Sequence, residues 1–285
     1  TVNTGRVELG QGVLTAMAQI AADELDVAME RLTVVSGDTA LTPNEGYTAG
    51  SQSMQAGGIA MRQACADVRA LFLAQAATIV GCAHGELSIR DGGFLRNGKS
   101  TGQDYWTLAG AVNLAVKASG NGTPKRTADL KYIGASRERL DLPDKVFGRA
   151  TFIHDMRLPA MVHARVVRQP NRGAVIDEID EAAITRAAKG KIAFVRTGNF
   201  LAIVGDSETA VDFAASAAVS HVTWKNIETP TALQAEASWL LQRPWVDRVF
   251  GAPAGEPQGG QRFEATYSRG SVAHASISPS CGLAE

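Results

Sequence analysis

Two short glycine-containing loops near the start of the chain have the residue types that bind anions. The first is Gly10-Gln11-Gly12, and the second is Thr48-Ala49-Gly50-Ser51; each precedes a predicted helix. The unpaired amides at a helix start carry partial positive charge and suit a phosphate group. Glycine also lets the backbone approach a ligand closely because it has no Cβ. Together the two loops predict one large anionic ligand rather than a single phosphate.

The elements that must position these loops follow a β–loop–α–β–loop–α–β–β order over residues 1–100. A strand is predicted at Val2 to Glu8, and apolar side chains at helical spacing predict an amphipathic helix over residues 12–26. Leu32 to Ser36 is rich in β-branched residues and predicts a second strand. Ser51 is the expected N-cap of a long helix that runs to about residue 78. A short hairpin is expected around Arg90-Asp91-Gly92.

The rest of the chain predicts a linker and two further segments. Residues 101–140 are the predicted linker, with a short helix at Thr107 to Leu114. Residues 141–225 form an α+β unit with strands at Val146 to Ile153 and Met161 to Val167, a hairpin turn at Thr197-Gly198-Asn199, and Asp206 or Ser207 as a helix cap. Residues 226–285 are expected to be rich in loops, with a short helix near residues 233–241 and strands at 261–267 and 271–278. The predicted fold class is α+β.

Composition narrows the possible partners. The formal net charge of −1 argues against a nucleic-acid binder, because such domains usually carry a basic surplus. No apolar run reaches the roughly 18–20 residues that span a bilayer. Cys65, Cys82 and Cys281 form no CxxC pair, so neither a zinc site nor an iron–sulfur site is expected. The chain starts at Thr1 without an initiator Met, and we expect it to be a fragment of a longer polypeptide.

A longer pattern surrounds both loops. Val7-Glu8-Leu9-Gly10-Gln11-Gly12-Val13-Leu14-Thr15, the later Gly37-Asp38-Thr39, and Thr48-Ala49-Gly50-Ser51 with Gly57-Gly58 resemble the cofactor-binding motif of the xanthine dehydrogenase/aldehyde oxidase family of molybdenum hydroxylases. Residues 145–168, which include Leu158-Pro159 and His163-Ala164-Arg165, look like the a/b hammerhead domain of that family. The cofactor-binding motif comes before the hammerhead domain, an order similar to that in the isoquinoline 1-oxidoreductase-like large subunits.

The resemblance implies a division of the chain and a cofactor. Residues 1–100 would be part of a molybdopterin-binding domain, residues 141–225 an a/b hammerhead domain, and residues 226–285 a linker and the truncated start of a further molybdopterin-binding domain. The implied cofactor is molybdopterin, in bacterial members usually as its cytosine dinucleotide. The resemblance places Gly10, Gln11 and Gly12 against the pterin end and Thr48, Ala49, Gly50 and Ser51 at a second cofactor-binding loop. The metal is held by cofactor sulfurs, so no protein metal ligand is implied.

The activity implied by the family is hydroxylation of aldehydes or N-heterocycles with oxygen from water, with electrons passing to iron–sulfur clusters on a small partner subunit. The remaining part of the large subunit is a second implied partner. The catalytic Glu of the family lies in a Gly-Glu-x-Pro-like motif, and Gly255-Glu256-Pro257 does not have the expected context, so no catalytic residue is assigned. The isolated segment is expected to be inactive. The alternatives are an inactive fragment and a non-catalytic phosphate- or nucleotide-binding module. Substrate identity is open, and so is location in the bacterial cytoplasm or periplasm.

Overall fold

The computed structural model describes residues 1–228, 231, 234, 236–246, 248, 250–251, 259–261, 263–270, 272 and 280–285. The chain divides into two compact units, Thr1–Thr151 and Phe152–Glu285. Each unit mixes helices with small sheets of two or three strands, which confirms the predicted α+β class. No helix within the described ranges combines the length and the apolarity needed to cross a bilayer.

The first unit pairs its opening strand in parallel with the second and then builds an antiparallel three-stranded sheet. Its two long helices, the first and the second in the chain, pack on each other. A turn of π-helix at Ser53–Gly58 leads into the second long helix. The helices and strands of this unit are β1 (Val2–Thr4), α1 (Val13–Leu25), β2 (Val34–Ser36), α2 (Ile59–Val80), β3 (Leu87–Arg90), β4 (Gly93–Arg96), β5 (Lys99–Asp104), α3 (Tyr105–Leu108) and α4 (Leu142–Val146).

Small side chains make up much of the core between α1 and its neighbours. Ala18 and Ala21 of α1 are fully buried, as is Met17, which fills space between the helices. Cys65 of α2 packs with Ala21 and Val2, and burial raises the pKa of its thiol to about 12. Cys65 therefore has the role of a small buried apolar residue. A second cluster around Phe72 joins α2 to the three-stranded sheet.

Several local predictions for the first unit are wrong, each for a local reason. Ser51 does not cap a helix; it adopts a φ of +61°, and the chain enters the π-turn two residues later. The helix expected at Thr107 to Leu114 is Tyr105–Leu108, because Asp104 accepts a hydrogen bond from the Thr107 amide and sets the start earlier. The strand expected at Val146 to Ile153 does not form: α4 ends at Val146, and Gly148, with a φ of +65°, turns the chain directly after it.

In the second unit, three strands at His163–Val166, Phe200–Gly205 and Ala193–Thr197 form an antiparallel sheet in that order. A separate antiparallel pair joins Val175–Ile179 to Val222–Lys225. The hairpin turn at Gly198 is confirmed by the pairing of Thr197 with Phe200, and Ser207 caps the following helix as predicted. Residues 263–267 form no strand within the described part, and the strand expected at 271–278 lies almost wholly outside it. The elements are β6 (His163–Val166), β7 (Val175–Ile179), α5 (Glu181–Ala188), β8 (Ala193–Thr197), β9 (Phe200–Gly205), α6 (Glu208–His221), β10 (Val222–Lys225) and α7 (Ala237–Leu240).

Buried carboxylates fasten part of the predicted linker to the first unit. Asp23 accepts hydrogen bonds from the amides of Lys131, Tyr132 and Ile133 at 2.7–3.2 Å. Asp67 does the same for Gly120 and Gly122 at 2.8 and 2.6 Å. These amides hold the pKa of Asp67 at about 2. The segment from 119 to 133 thus has little regular structure of its own but is fixed by charged side chains of α1 and α2.

Candidate functional site

The first predicted loop is folded around a carboxylate from its own sequence. Gly10 and Gly12 have φ angles of +106° and +79°, a region that glycine occupies without strain. Both amides donate to Oε1 of Glu8, each at 2.8 Å, and the amide of Leu14 lies 3.5 Å from Oε2. The carboxylate therefore occupies the start of α1, where the sequence predicted a ligand anion.

The environment of Glu8 favours its charged form. Burial raises the pKa of Glu8, but the hydrogen bonds from the amides of Gly12, Gly10 and Leu14 together lower it more, so the net pKa lies below its ordinary value. The partial positive charge of the helix start is consistent with this direction. Glu8 is thus a structural anion that shapes the loop.

Gln11 closes the same loop with its side chain. Its Nε2 donates to the carbonyl of Val7 at 2.9 Å, and its Oε1 accepts from the amide of Leu9 at 2.5 Å. Both bonds are solvent-exposed, so a ligand could exchange with them without opening the core. The carboxamide has one donor and one acceptor group side by side, which matches a heterocyclic ring edge.

The two predicted loops are neighbours. Val7, just before the first loop, donates its amide to Oγ1 of Thr48 at 3.0 Å. Arg6 donates from Nη1 to the carbonyl of Tyr47 at 2.6 Å. Both loops open to solvent, since Leu9 is 70% and Tyr47 is 92% exposed. The structure thus brings the segment of Gly10, Gln11 and Gly12 beside that of Thr48, Ala49, Gly50 and Ser51.

The second loop has its own left-handed turn. Gly50 and Ser51 both have φ of +61°, and Gln52 donates its amide to the carbonyl of Ala49 at 3.2 Å. This turn sends the chain into the π-turn and then α2, so the loop lies at the approach to a long helix. Thr48, the first residue of this loop, is the one that contacts Val7.

A buried arginine beneath the two loops was missed at the level of sequence. Arg6 is only 4% exposed, and its Nε lacks a hydrogen-bond partner. Within the described residues its guanidinium forms no direct ion pair; the nearby carboxylate of Glu45 accepts hydrogen bonds from Thr4 Oγ1 and the Gly5 amide instead. A Cβ on Gly57 would lie 3.3 Å from this Nε and 3.1 Å from Oε1 of Glu45, so glycine there gives both side chains room. The positive charge of Arg6 under two exposed loops fits an anionic group bound at their surface.

The cavity between α1 and the π-turn is too small to contain a dinucleotide. It measures about 250 Å³ and is also lined by the first residues of α2 and by Ile133-Gly134. Pockets for small molecules usually exceed roughly 300 Å³. A large cofactor would therefore lie over the exposed loops rather than inside this cavity.

Glu256, in the Gly255-Glu256-Pro257 segment considered in the sequence, lies outside the described residues. In the ranges that the structure does describe, no three His, Cys, Asp or Glu side chains are grouped so as to hold a metal ion. The donors available here are backbone groups, a carboxamide, hydroxyls and guanidinium groups, which suit an organic anion.

Comparison with known sequences points to one kind of domain. Residues 1–142 match the family model of the molybdopterin cofactor-binding domain. The chain is 34% identical, over 99% of its length, to a nicotinate dehydrogenase subunit of Pseudomonas putida. It is 25% identical, over 77% of its length, to the beta subunit of isoquinoline 1-oxidoreductase from Brevundimonas diminuta. Aldehyde oxidase 4 of Rattus norvegicus is 39% identical over 21% of the chain.

The chain spans only part of these relatives. It covers 24% of the nicotinate dehydrogenase subunit, 33% of the isoquinoline oxidoreductase subunit and 5% of the aldehyde oxidase.

Proposed function

Because the chain belongs to the xanthine dehydrogenase/aldehyde oxidase family of molybdenum hydroxylases, we propose that it forms part of the cofactor-binding wall of a large subunit that hydroxylates aldehydes or N-heterocycles. The cofactor in this proposal is molybdopterin cytosine dinucleotide, and the electrons pass to iron–sulfur clusters on a small partner subunit. The names of two relatives, nicotinate dehydrogenase and isoquinoline 1-oxidoreductase, favour an N-heterocycle as the substrate class.

The observation that carries the proposal is the proximity of the two loops. The 3.0 Å hydrogen bond from the Val7 amide to Thr48 Oγ1 joins segments 41 residues apart in the chain. Two glycine-containing turns lie on one surface above the buried charge of Arg6, and a single extended anion could contact the exposed Gln11 side chain of the first turn and the backbone of the second.

The residues of the chain bind and orient; they do not supply the redox chemistry. When bound, the molybdenum cofactor provides the two-electron oxidation of an activated carbon, with water as the source of oxygen. Gln11 would hydrogen-bond a pterin edge, with Gly10 and Gly12 permitting close approach. Thr48, Ala49, Gly50 and Ser51 would hold a second part of the cofactor. Glu8 accepts hydrogen bonds from the amides of the first loop, so these amides do not bind the phosphate. The second loop would bind the phosphate, with Arg6 supplying positive charge beneath it.

Elemental analysis of the whole complex tests this proposal. The full-length large subunit is co-expressed with the products of neighbouring genes and purified, and its molybdenum, iron and released nucleotide are measured. The proposal expects molybdenum, iron and a cytosine nucleotide. A complex that contains a nucleotide but no molybdenum would favour the non-catalytic binding module, and one that contains neither would favour an inactive fragment of the family.

A further inference from the structure

The first loop is contacted by a side chain from the far end of the first unit. Arg139 donates from Nη1 to the carbonyl of Gly10 at 2.7 Å, across 129 residues of sequence. Its Nη2 lies 3.4 Å from Oε1 of Glu8, the carboxylate around which the loop is folded. No pattern in the sequence singled out this arginine.

Arg139 is itself held in place by its neighbours. Asp141 accepts from Nε at 3.0 Å and from Nη2 at 2.7 Å, a two-pronged pairing that fixes the plane of the guanidinium. Lys145 Nζ contacts the same carboxylate at 2.5 Å. The adjacent backbone is attached to α1, because the amide of Leu140 donates to Thr15 Oγ1 at 2.9 Å.

The loop needs such a contact because its backbone has unusual freedom. Glycine loses more conformational entropy on ordering than any other residue, and the loop has two glycines in three residues. Glu8 binds the amide side of this loop, and Arg139 binds its carbonyl side at Gly10. If the loop adopted its binding conformation only part of the time, the apparent affinity for the ligand would fall by that fraction. Contacts that order the loop on both sides before the ligand binds avoid this loss.

We propose that Arg139 is a positioning residue that holds the Gly10–Gly12 loop in its cofactor-binding conformation. The inference rests on the proposed function, since it takes the first loop to be a cofactor-binding loop. Arg139 contacts the loop and not the cofactor, and it acts through Gly10 and Glu8. The planar shape of the guanidinium matters as well as its charge. The single ammonium group of a lysine cannot contact Asp141 and the Gly10 carbonyl in the same fixed plane.

The test uses the purified full-length complex with Arg139→Ala and Arg139→Lys. Amide hydrogen exchange over residues 9–14 reports loop opening, and release of the pterin after dilution reports cofactor retention. Losing one charge-assisted bond to the loop is expected to speed exchange and pterin release about tenfold in Arg139→Ala. Arg139→Lys keeps the charge and is expected to recover part of both. Arg126→Ala is the matched control, because Arg126 is 83% exposed and pairs with Asp129 only three residues away.

The possible failures are distinguishable. A wild-type complex without molybdenum overturns the proposed function. A wild-type complex that contains molybdenum, with exchange and pterin release unchanged in both Arg139 variants, overturns the role of Arg139 alone. If Arg139→Ala fails to fold, Arg139→Lys decides: a folded Lys variant with wild-type exchange over residues 9–14 contradicts the proposal.

Discussion

The hydrogen bond that joins the two loops can be removed by a nearly isosteric change. Thr48→Val keeps the size and branching of the side chain but deletes Oγ1, the acceptor for the Val7 amide at 3.0 Å. The bond is partly buried, and an ordinary protein hydrogen bond contributes about 0.5–1.5 kcal/mol net. If the pairing of the loops is needed for binding, cofactor affinity should fall by a factor of about 2–13.

The assay is the rate at which molybdenum and pterin leave the purified complex on dilution, with hydrogen exchange at the Val7 amide as a local readout. Thr78→Val is the matched control, since Thr78 Oγ1 donates only to the carbonyl of Ala74 within α2. We expect faster cofactor release and faster exchange at Val7 in Thr48→Val, and neither in Thr78→Val. Faster exchange at Val7 with wild-type cofactor release would refute the reasoning, because the loops would then separate without any effect on binding.

Three further predictions concern single side chains. Gln11→Ala should lower molybdenum content or turnover without unfolding the chain, because both Gln11 side-chain bonds are exposed; unchanged loading and rate in the purified complex would exclude this role. Glu8→Gln should weaken the pH dependence of the free energy of unfolding in urea. The pKa of Glu8 is lowered on folding, so its contribution to stability is complete above its ordinary pKa of 4.5 and is lost as the pH falls through its pKa in the folded protein. Equal pH slopes in the wild type and the variant would contradict this. Glu24→Ala should cost about 3–5 kcal/mol of unfolding free energy, because Glu24 is fully buried and pairs with Arg62 and Arg69 at 2.8 and 2.7 Å; a loss no greater than that of exposed Glu86→Ala would show that the pairing contributes little.

The sequence was sufficient for features that depend on neighbouring residues. Helix α1, the hairpin turn at Gly198 and the cap at Ser207 follow from apolar spacing and from the local chemistry of turns and caps. The motif around Gly10-Gln11-Gly12 was sufficient to predict the family, and the molybdopterin-binding match over residues 1–142 confirms it. The cofactor-binding residues themselves stay a prediction.

Contacts between distant residues were not predictable from local patterns. Nothing near Arg139 in the sequence indicates Gly10, and nothing near Asp23 indicates the amides of residues 131–133. Ser51 is of a residue type that commonly caps helices, but nothing in the sequence around it indicated its left-handed φ or the π-turn that follows. A carboxylate at position 8 was also not expected to fill the very site predicted for a ligand anion.

The most direct test of the central claim is a double-mutant cycle on cofactor release with Gln11→Ala and Thr48→Val in the full-length complex. If both loops bind one cofactor, the two changes act on a shared partner, and their effects on the free energy of binding should differ from additivity by about 0.5 kcal/mol or more. Strictly additive effects, or no effect from either change, would contradict the account of a single cofactor held across both loops.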